Sequence, residues 1–176
     1  ITMRYSLLVG LIFTLTTALV PKQIMMIFTS DSMLIESGAK YLRMVSLSYL
    51  LTGFTQAYFG MMKVCSRAKL SSVIGSLSVV INIIFNALLI FGIGFFPKMN
   101  IEGAALATVL ARIFEAIMVI IAVLQKLCPS LNIKLMLKSD NKELHKDYWK
   151  YTVPLLINQI GWGGGVTMYS VIMGHL

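Results

Sequence analysis

LSSVIGSLSVVINIIFNALLIF, residues 70–91, runs for 22 positions without an Asp, Glu, Lys or Arg. About 20 apolar residues in a helix cross the roughly 30 Å hydrocarbon core of a bilayer. Period-two alternation is absent, and isolated strands in lipid would leave backbone groups unpaired. The stretch therefore reads as a transmembrane helix. Outward from it, four more segments have the same character: 5–20, 44–62, 104–124 and 151–174. The expected fold is all-α, a polytopic transmembrane bundle of five spans.

Composition agrees. The chain is 57% hydrophobic and 12% charged, with a mean hydropathy of +0.82. A soluble domain carries about a quarter charged residues to wet its surface. The net charge of +8 does not point to nucleic acid, because the basic residues sit between apolar spans rather than on a polar face. The implied partner is the lipid bilayer.

Punctuation supports the spans. Pro21 stops the first and Pro97 follows the third, since proline cannot continue a helical hydrogen-bond ladder. Tyr148, Trp149 and Tyr151 cluster where the fifth span begins, as an interfacial aromatic belt does. The one long polar stretch is 126–150. The chain opens on Ile1-Thr2 without an initiator Met and stops at Leu176 in an apolar run, so a piece of a longer protein is expected.

Charge gives an orientation. One side holds Arg4, Lys63, Arg67, Lys69 and lysines 126, 134, 138, 142, 146 and 150, ten in all. The other holds Lys22, Lys40, Arg43 and Lys98, which makes four. Excess Lys and Arg marks cytoplasmic loops, so 126–150 is expected inside. Cys65 and Cys128 fall on that side, where a disulfide is not expected.

Polar residues within spans form stripes. Ser71, Gly75, Ser78, Asn82 and Asn86 share a narrow arc of the third span at 100° per residue. Tyr49, Gly53, Gln56 and Gly60 do so on the second, and Asn158, Trp162, Gly165 and Tyr169 on the fifth. On the fourth, Thr108, Arg112 and Glu115 lie beside a small-residue ladder, Gly103, Ala107 and Ala111. Close helix packing accounts for the small residues. For Asn82 and Asn86, two amides one turn apart in mid-span, a polar site lining a cavity is an equal reading. Arg112 and Glu115 are the only charges well inside a span, and each costs roughly 2.5–3.5 kcal/mol at a helix centre. Spaced i, i+3, they can pair. A proton- or cation-coupling acid is the alternative role for Glu115.

No enzyme constellation is visible: no glycine-rich loop with a lysine for nucleotide, and no cluster of His, Cys or Asp at metal-ligand spacing. No cofactor is implied.

Four stretches in register resemble the multidrug and toxin extrusion (MATE) transporters of bacteria. They are Tyr41-Leu42-Arg43, Arg67-Ala68-Lys69-Leu70, Asn82-Ile83-Ile84-Phe85-Asn86 and Gly103-Ala104-Ala105-Leu106-Ala107-Thr108, with Val153-Pro154-Leu155-Leu156 as weaker support. The resemblance implies about twelve helices in two lobes. Residues 1–125 would belong to the N-terminal lobe, 126–150 would be the cytoplasmic connector, and 151–176 would open the C-terminal lobe, each completed by the remainder of the chain. It implies a multi-pass protein of the bacterial cytoplasmic membrane that exports small organic, often cationic, compounds against Na⁺ or H⁺. Asn82 matches a family asparagine, Thr108 a threonine near the ion site, and Asn86 stands where some members carry an aspartate. Trp162 stands where the sodium-coupled branch carries a glutamate. The substrate or ion site is thus expected among Tyr49, Gln56, Asn82, Asn86, Thr108, Arg112 and Glu115. A lipid-linked oligosaccharide flippase of the same superfamily, which would need a cavity rich in Arg and Lys, and a non-transport structural membrane subunit are the alternatives.

Overall fold

A computed structural model describes residues 1–92, 97–127 and 142–175. Among these the chain forms six helices: α1 (Thr2–Leu19), α2 (Pro21–Phe28), α3 (Ser32–Val64), α4 (Ala68–Phe91), α5 (Asn100–Leu124) and α6 (Lys142–His175). Cys128, Lys134 and Lys138 lie outside the described residues.

The all-α transmembrane bundle is what the hydropathy predicts, but the spans differ in detail. Length and apolarity alone qualify three helices to cross a membrane, α1, α4 and α5, rather than five. The other two, α3 and α6, are long enough but dilute their apolar runs. Ser46, Ser48, Thr52, Thr55 and Gln56 do so in α3, and Thr152, Asn158, Gln159 and a glycine run in α6. In α3 most of that polarity is turned inward, since Ser46, Ser48 and Thr55 are buried.

Several boundaries move. At 33 residues, α3 is about 50 Å long at 1.5 Å per residue, and it begins at Ser32 rather than Met44. Asp31 caps it: its Oδ1 accepts from the backbone N–H of Met33 at 2.8 Å and Leu34 at 3.5 Å, satisfying donors that a helix start leaves open. The segment after Pro21 is a helix and not a loop, with proline at its first position where no N–H is needed. The expected connector 126–150 is partly helix, because Lys142–Lys150 form the opening turns of α6.

The bundle is built around α3, which packs on α1, α5, α4 and α2, while α4 packs on α5. The α1–α3 seam is antiparallel and close. Ser6 donates its hydroxyl to the Gly53 carbonyl at 2.7 Å, and Thr14 donates to the Ser46 carbonyl at 3.0 Å. A β-carbon on Gly53 would stand 2.7 Å from the Ser6 carbonyl oxygen, and one on Gly10 3.0 Å from that of Tyr49. Similarly, a β-carbon on Gly103 would meet the Leu89 carbonyl oxygen at 2.7 Å, and Ala107 and Ala111 beyond it are buried. These small residues let backbones touch where lipid offers no hydrophobic drive to association. Gly60 is different. It faces open space, so the packing role expected from its place on the stripe does not hold.

One end of the bundle collects Met3, Met62, Leu70 and Val123 in a single apolar cluster. It therefore gathers the start of α1, the α3–α4 turn and the end of α5. The start of α6 joins them through Tyr5, which stacks on Tyr148. The basic residues Arg4, Lys63, Arg67, Lys69, Lys126, Lys142 and Lys146 thus share one end.

Two glycine substitutions on one helix separate packing from mere helix propensity. Gly53→Ala should lower the thermal stability of the detergent-solubilised protein, because the added methyl meets fixed backbone. Gly60→Ala should leave it unchanged or raise it by up to about 1 kcal/mol, the usual gain over glycine in an unobstructed helix. Scanning fluorimetry of the two variants checks both signs.

Candidate functional site

The seven residues singled out in the sequence divide between two places. Tyr49 and Gln56, one face of α3, line a cleft of about 460 Å³ between α1, α3 and α6. Asn82, Thr108 and Arg112 line a crevice of about 100 Å³ between α4 and α5, with Ser78 at its edge. Glu115 lies beside the crevice, one turn along α5 from Ala111, and Asn86 lies one turn beyond Asn82.

The crevice follows from the polar arc of α4 meeting the small-residue ladder of α5. Asn86 donates its side-chain N–H to Asn82 Oδ1 at 3.0 Å, which ties one amide to the other along the helix. Thr108 donates its hydroxyl to the Ala104 carbonyl at 2.9 Å, so its oxygen keeps acceptor capacity towards the crevice. Arg112 Nη1 donates to Glu115 Oε2 at 2.6 Å. The Ser78 hydroxyl lies 3.0 Å from the same oxygen and 3.2 Å from the Ala111 carbonyl, two acceptors for one proton. Arg112 and Glu115 therefore pair, and Ser78 extends the pair from α5 to α4.

The burial of that pair is lopsided. The Glu115 side chain is 2% exposed and that of Arg112 36%. Glu115 Oε1 is buried without a hydrogen-bond partner among the described residues. A carboxylate in this position depends on the guanidinium far more than the guanidinium depends on it.

The cleft has another chemistry. Five aromatic rings line it: Tyr5 and Phe13 from α1, Tyr49 from α3, Tyr148 and Trp149 from α6. Hydroxyls of Ser6, Thr52 and Thr152 and the exposed Gln56 amide supply its polar points. None of its described lining residues is Asp, Glu, Lys or Arg. At the basic end Tyr5 closes it, with Tyr148 stacked at 5.4 Å between centroids, Trp149 edge-on at 5.1 Å and His145 edge-on at 6.3 Å. Trp149 Nε1–H points to the Tyr5 hydroxyl at 3.4 Å. Farther along, Tyr49 and Phe13 lie 6.2 Å apart.

The stripe on α3 led to Tyr49 and Gln56 but not to Tyr5, Phe13 or the inward role of Tyr148 and Trp149. The latter two read as an interfacial belt. Tyr5, the lone aromatic of residues 1–12, gave no signal in the sequence that it meets the Tyr148–Tyr151 segment. The stripe on α6, Asn158, Trp162, Gly165 and Tyr169, is exposed throughout and joins neither place. Among the described residues no group of three or more His, Cys, Asp or Glu is placed to hold a metal ion.

The family model described as MatE matches residues 1–88, which run from the start of α1 into the last turn of α4. Neither a curated protein nor a solved structure gives a significant match.

Removing either member of the Arg112–Glu115 pair should cost folding yield, but not equally. Arg112→Leu strands a buried carboxylate, for which about 3–5 kcal/mol is usual. Glu115→Leu leaves a guanidinium that still reaches the crevice. The expected order of folded yield is wild type, then the double variant or Glu115→Leu, with Arg112→Leu lowest. Size-exclusion profiles of fluorescent fusions measure it, and additive losses in the double variant would contradict pairing.

Proposed function

The chain belongs to the MatE family of membrane transporters, and we propose that it forms part of a secondary exporter of organic cations. The observation that carries this reading is the cleft between α1, α3 and α6: aromatic on three walls and free of formal charge in its lining. A volume of about 460 Å³ lies in the range of small-molecule sites, about 300–1,000 Å³. Electron-rich ring faces attract a desolvated cation by up to about 2 kcal/mol each. Hydroxyls and one amide orient polar groups without demanding a particular partner, which suits a varied set of compounds. A lipid-linked oligosaccharide carries a diphosphate and would require Lys or Arg in this lining, and the described lining residues include none.

In this reading α6 is the first helix of a second lobe, and the cleft lies between it and the lobe that α1–α5 belong to. The basic end faces the cytoplasm of a bacterial cell, by the ten-to-four asymmetry of Lys and Arg. Repeat-built transporters place their sites near the midplane, between helices that move relative to one another. The gradient of Na⁺ or H⁺ acts at a second place, the α4–α5 crevice. There the Asn82 and Thr108 oxygens can hold a hydrated cation or orient a water, but neither residue titrates. Their role is supporting, and the charge that binds and releases the coupling ion comes from Glu115 or from another part of the transporter.

Efflux of a fluorescent cation such as ethidium from cells expressing the whole transporter separates the two places. Tyr49→Ala with Gln56→Leu should raise the apparent KM several-fold while the gradient dependence stays as in wild type. Asn82→Leu with Asn86→Leu should lower the maximal rate at least tenfold at normal membrane expression. Wild-type efflux in the first double variant would overturn the cleft as the substrate site. Wild-type efflux in the second would leave the asparagines as packing residues.

A further inference from the structure

At the end of the bundle away from the aromatic cluster, a crevice of about 380 Å³ opens between α2 and the first turns of α3. Lys22 projects into it from α2, and Lys40 and Arg43 from α3, above a floor that includes Leu19 and Pro21. Glu36 lines it too and lies 3.5 Å from Lys40. That pair is exposed, with 60% and 67% of the side chains accessible, and exposed pairs of this kind hold little energy. The crevice therefore keeps a net charge of +2, three cations less one carboxylate. Lys22 and Arg43 have no ion pair among the described residues.

The level of this crevice in the bilayer follows from the helices. The 18 residues of α1 make about 27 Å of helix, nearly the ~30 Å of the hydrocarbon core. Leu19 and Pro21 thus lie at its boundary. The α1–α3 register, with Ser6 against Gly53 and Thr14 against Ser46, puts Lys40 and Arg43 beside the last turn of α1. Leu19, exposed on α1, is placed to meet acyl chains, and the three cations lie at the level of the lipid phosphates.

The distribution of charge is the second argument. This end of the bundle is poor in basic residues, with Lys22, Lys40, Arg43 and Lys98 against eight at the other among the described residues. Three of the four converge on one crevice. Orientation signals require no such convergence, because they act through total charge near the span ends.

We propose that the α2–α3 crevice binds the headgroup of an anionic phospholipid, with Lys22, Lys40 and Arg43 around its phosphate. Arg43 offers a planar fork suited to two phosphate oxygens, and the two lysines add point charges. The acyl chains run down past Leu19 along the exposed side of α1. The site is independent of the cleft and of what the cleft carries.

Native mass spectrometry of the whole transporter, released from micelles doped with phosphatidylglycerol or phosphatidylcholine, tests this. Phosphatidylglycerol should be retained preferentially, by about fivefold for each basic residue engaged. K22Q/K40Q/R43Q should lose the preference, and K98Q at the same end should keep it. Should the triple variant fail to fold, R43Q alone should show a partial loss. Equal retention of the two lipids overturns the site, as does a preference unchanged in the folded triple variant or in R43Q. Displacement of phosphatidylglycerol by inorganic phosphate in the wild type would give the crevice to a soluble anion and likewise overturn the lipid assignment.

Discussion

Apolar side chains gain nothing in a bilayer by leaving acyl tails for one another, so this bundle holds together where backbones can touch. The α1–α3 seam is the first such place. Gly53 leaves no room for a β-carbon and Gly10 only a tight fit, and the hydroxyls of Ser6 and Thr14 bond carbonyls on the opposite helix. The α4–α5 seam is the second, with Gly103 against the Leu89 backbone. Interhelical hydrogen bonds in membranes average only about 0.6 kcal/mol, so close packing along the whole seam matters more than any one bond. Because α3 borders α1, α4 and α5, its small and hydroxylated faces fix the bundle as a unit.

That rigidity has a counterpart in α6. Most of its side chains are exposed, and its glycine run, Gly163 to Gly165, faces open space. It meets the bundle at its two ends, through the Tyr5 cluster and beside Phe28. Between these lies the aromatic cleft. The polar crevice lies between α4 and α5 and the cleft between α1, α3 and α6, so the two kinds of chemistry fall in separate places.

How much of this the sequence could tell depended on the range of each interaction. Hydropathy located the three helices long and apolar enough to cross a membrane, α1, α4 and α5, and helical periodicity identified the inward face of α4, where Ser71 and Ser78 are buried. The i, i+3 spacing of Arg112 and Glu115 was enough to expect their contact. Periodicity could not distinguish Gly53, packed on Ser6, from Gly60, which faces nothing, since both lie on one stripe. It also missed α2, whose eight residues are too few to show a helical pattern against an apolar background. The early start of α3 was readable in principle, because Asp31 is a good cap. The cleft was not, because Tyr5 and Tyr148 are joined only by the path of the whole chain.

The cleft exists because α6 meets α1 at the basic end, with Tyr5 against Tyr148. Disulfide formation between Tyr5→Cys and Tyr148→Cys, in the whole transporter with Cys65 and Cys128 replaced, measures that directly. Rapid cross-linking within one chain under mild oxidation, at a rate well above that of a Tyr5→Cys and Tyr169→Cys control, is the expected result. Cross-linking no faster than the control would mean that α6 does not border the cleft and would contradict the substrate site placed there.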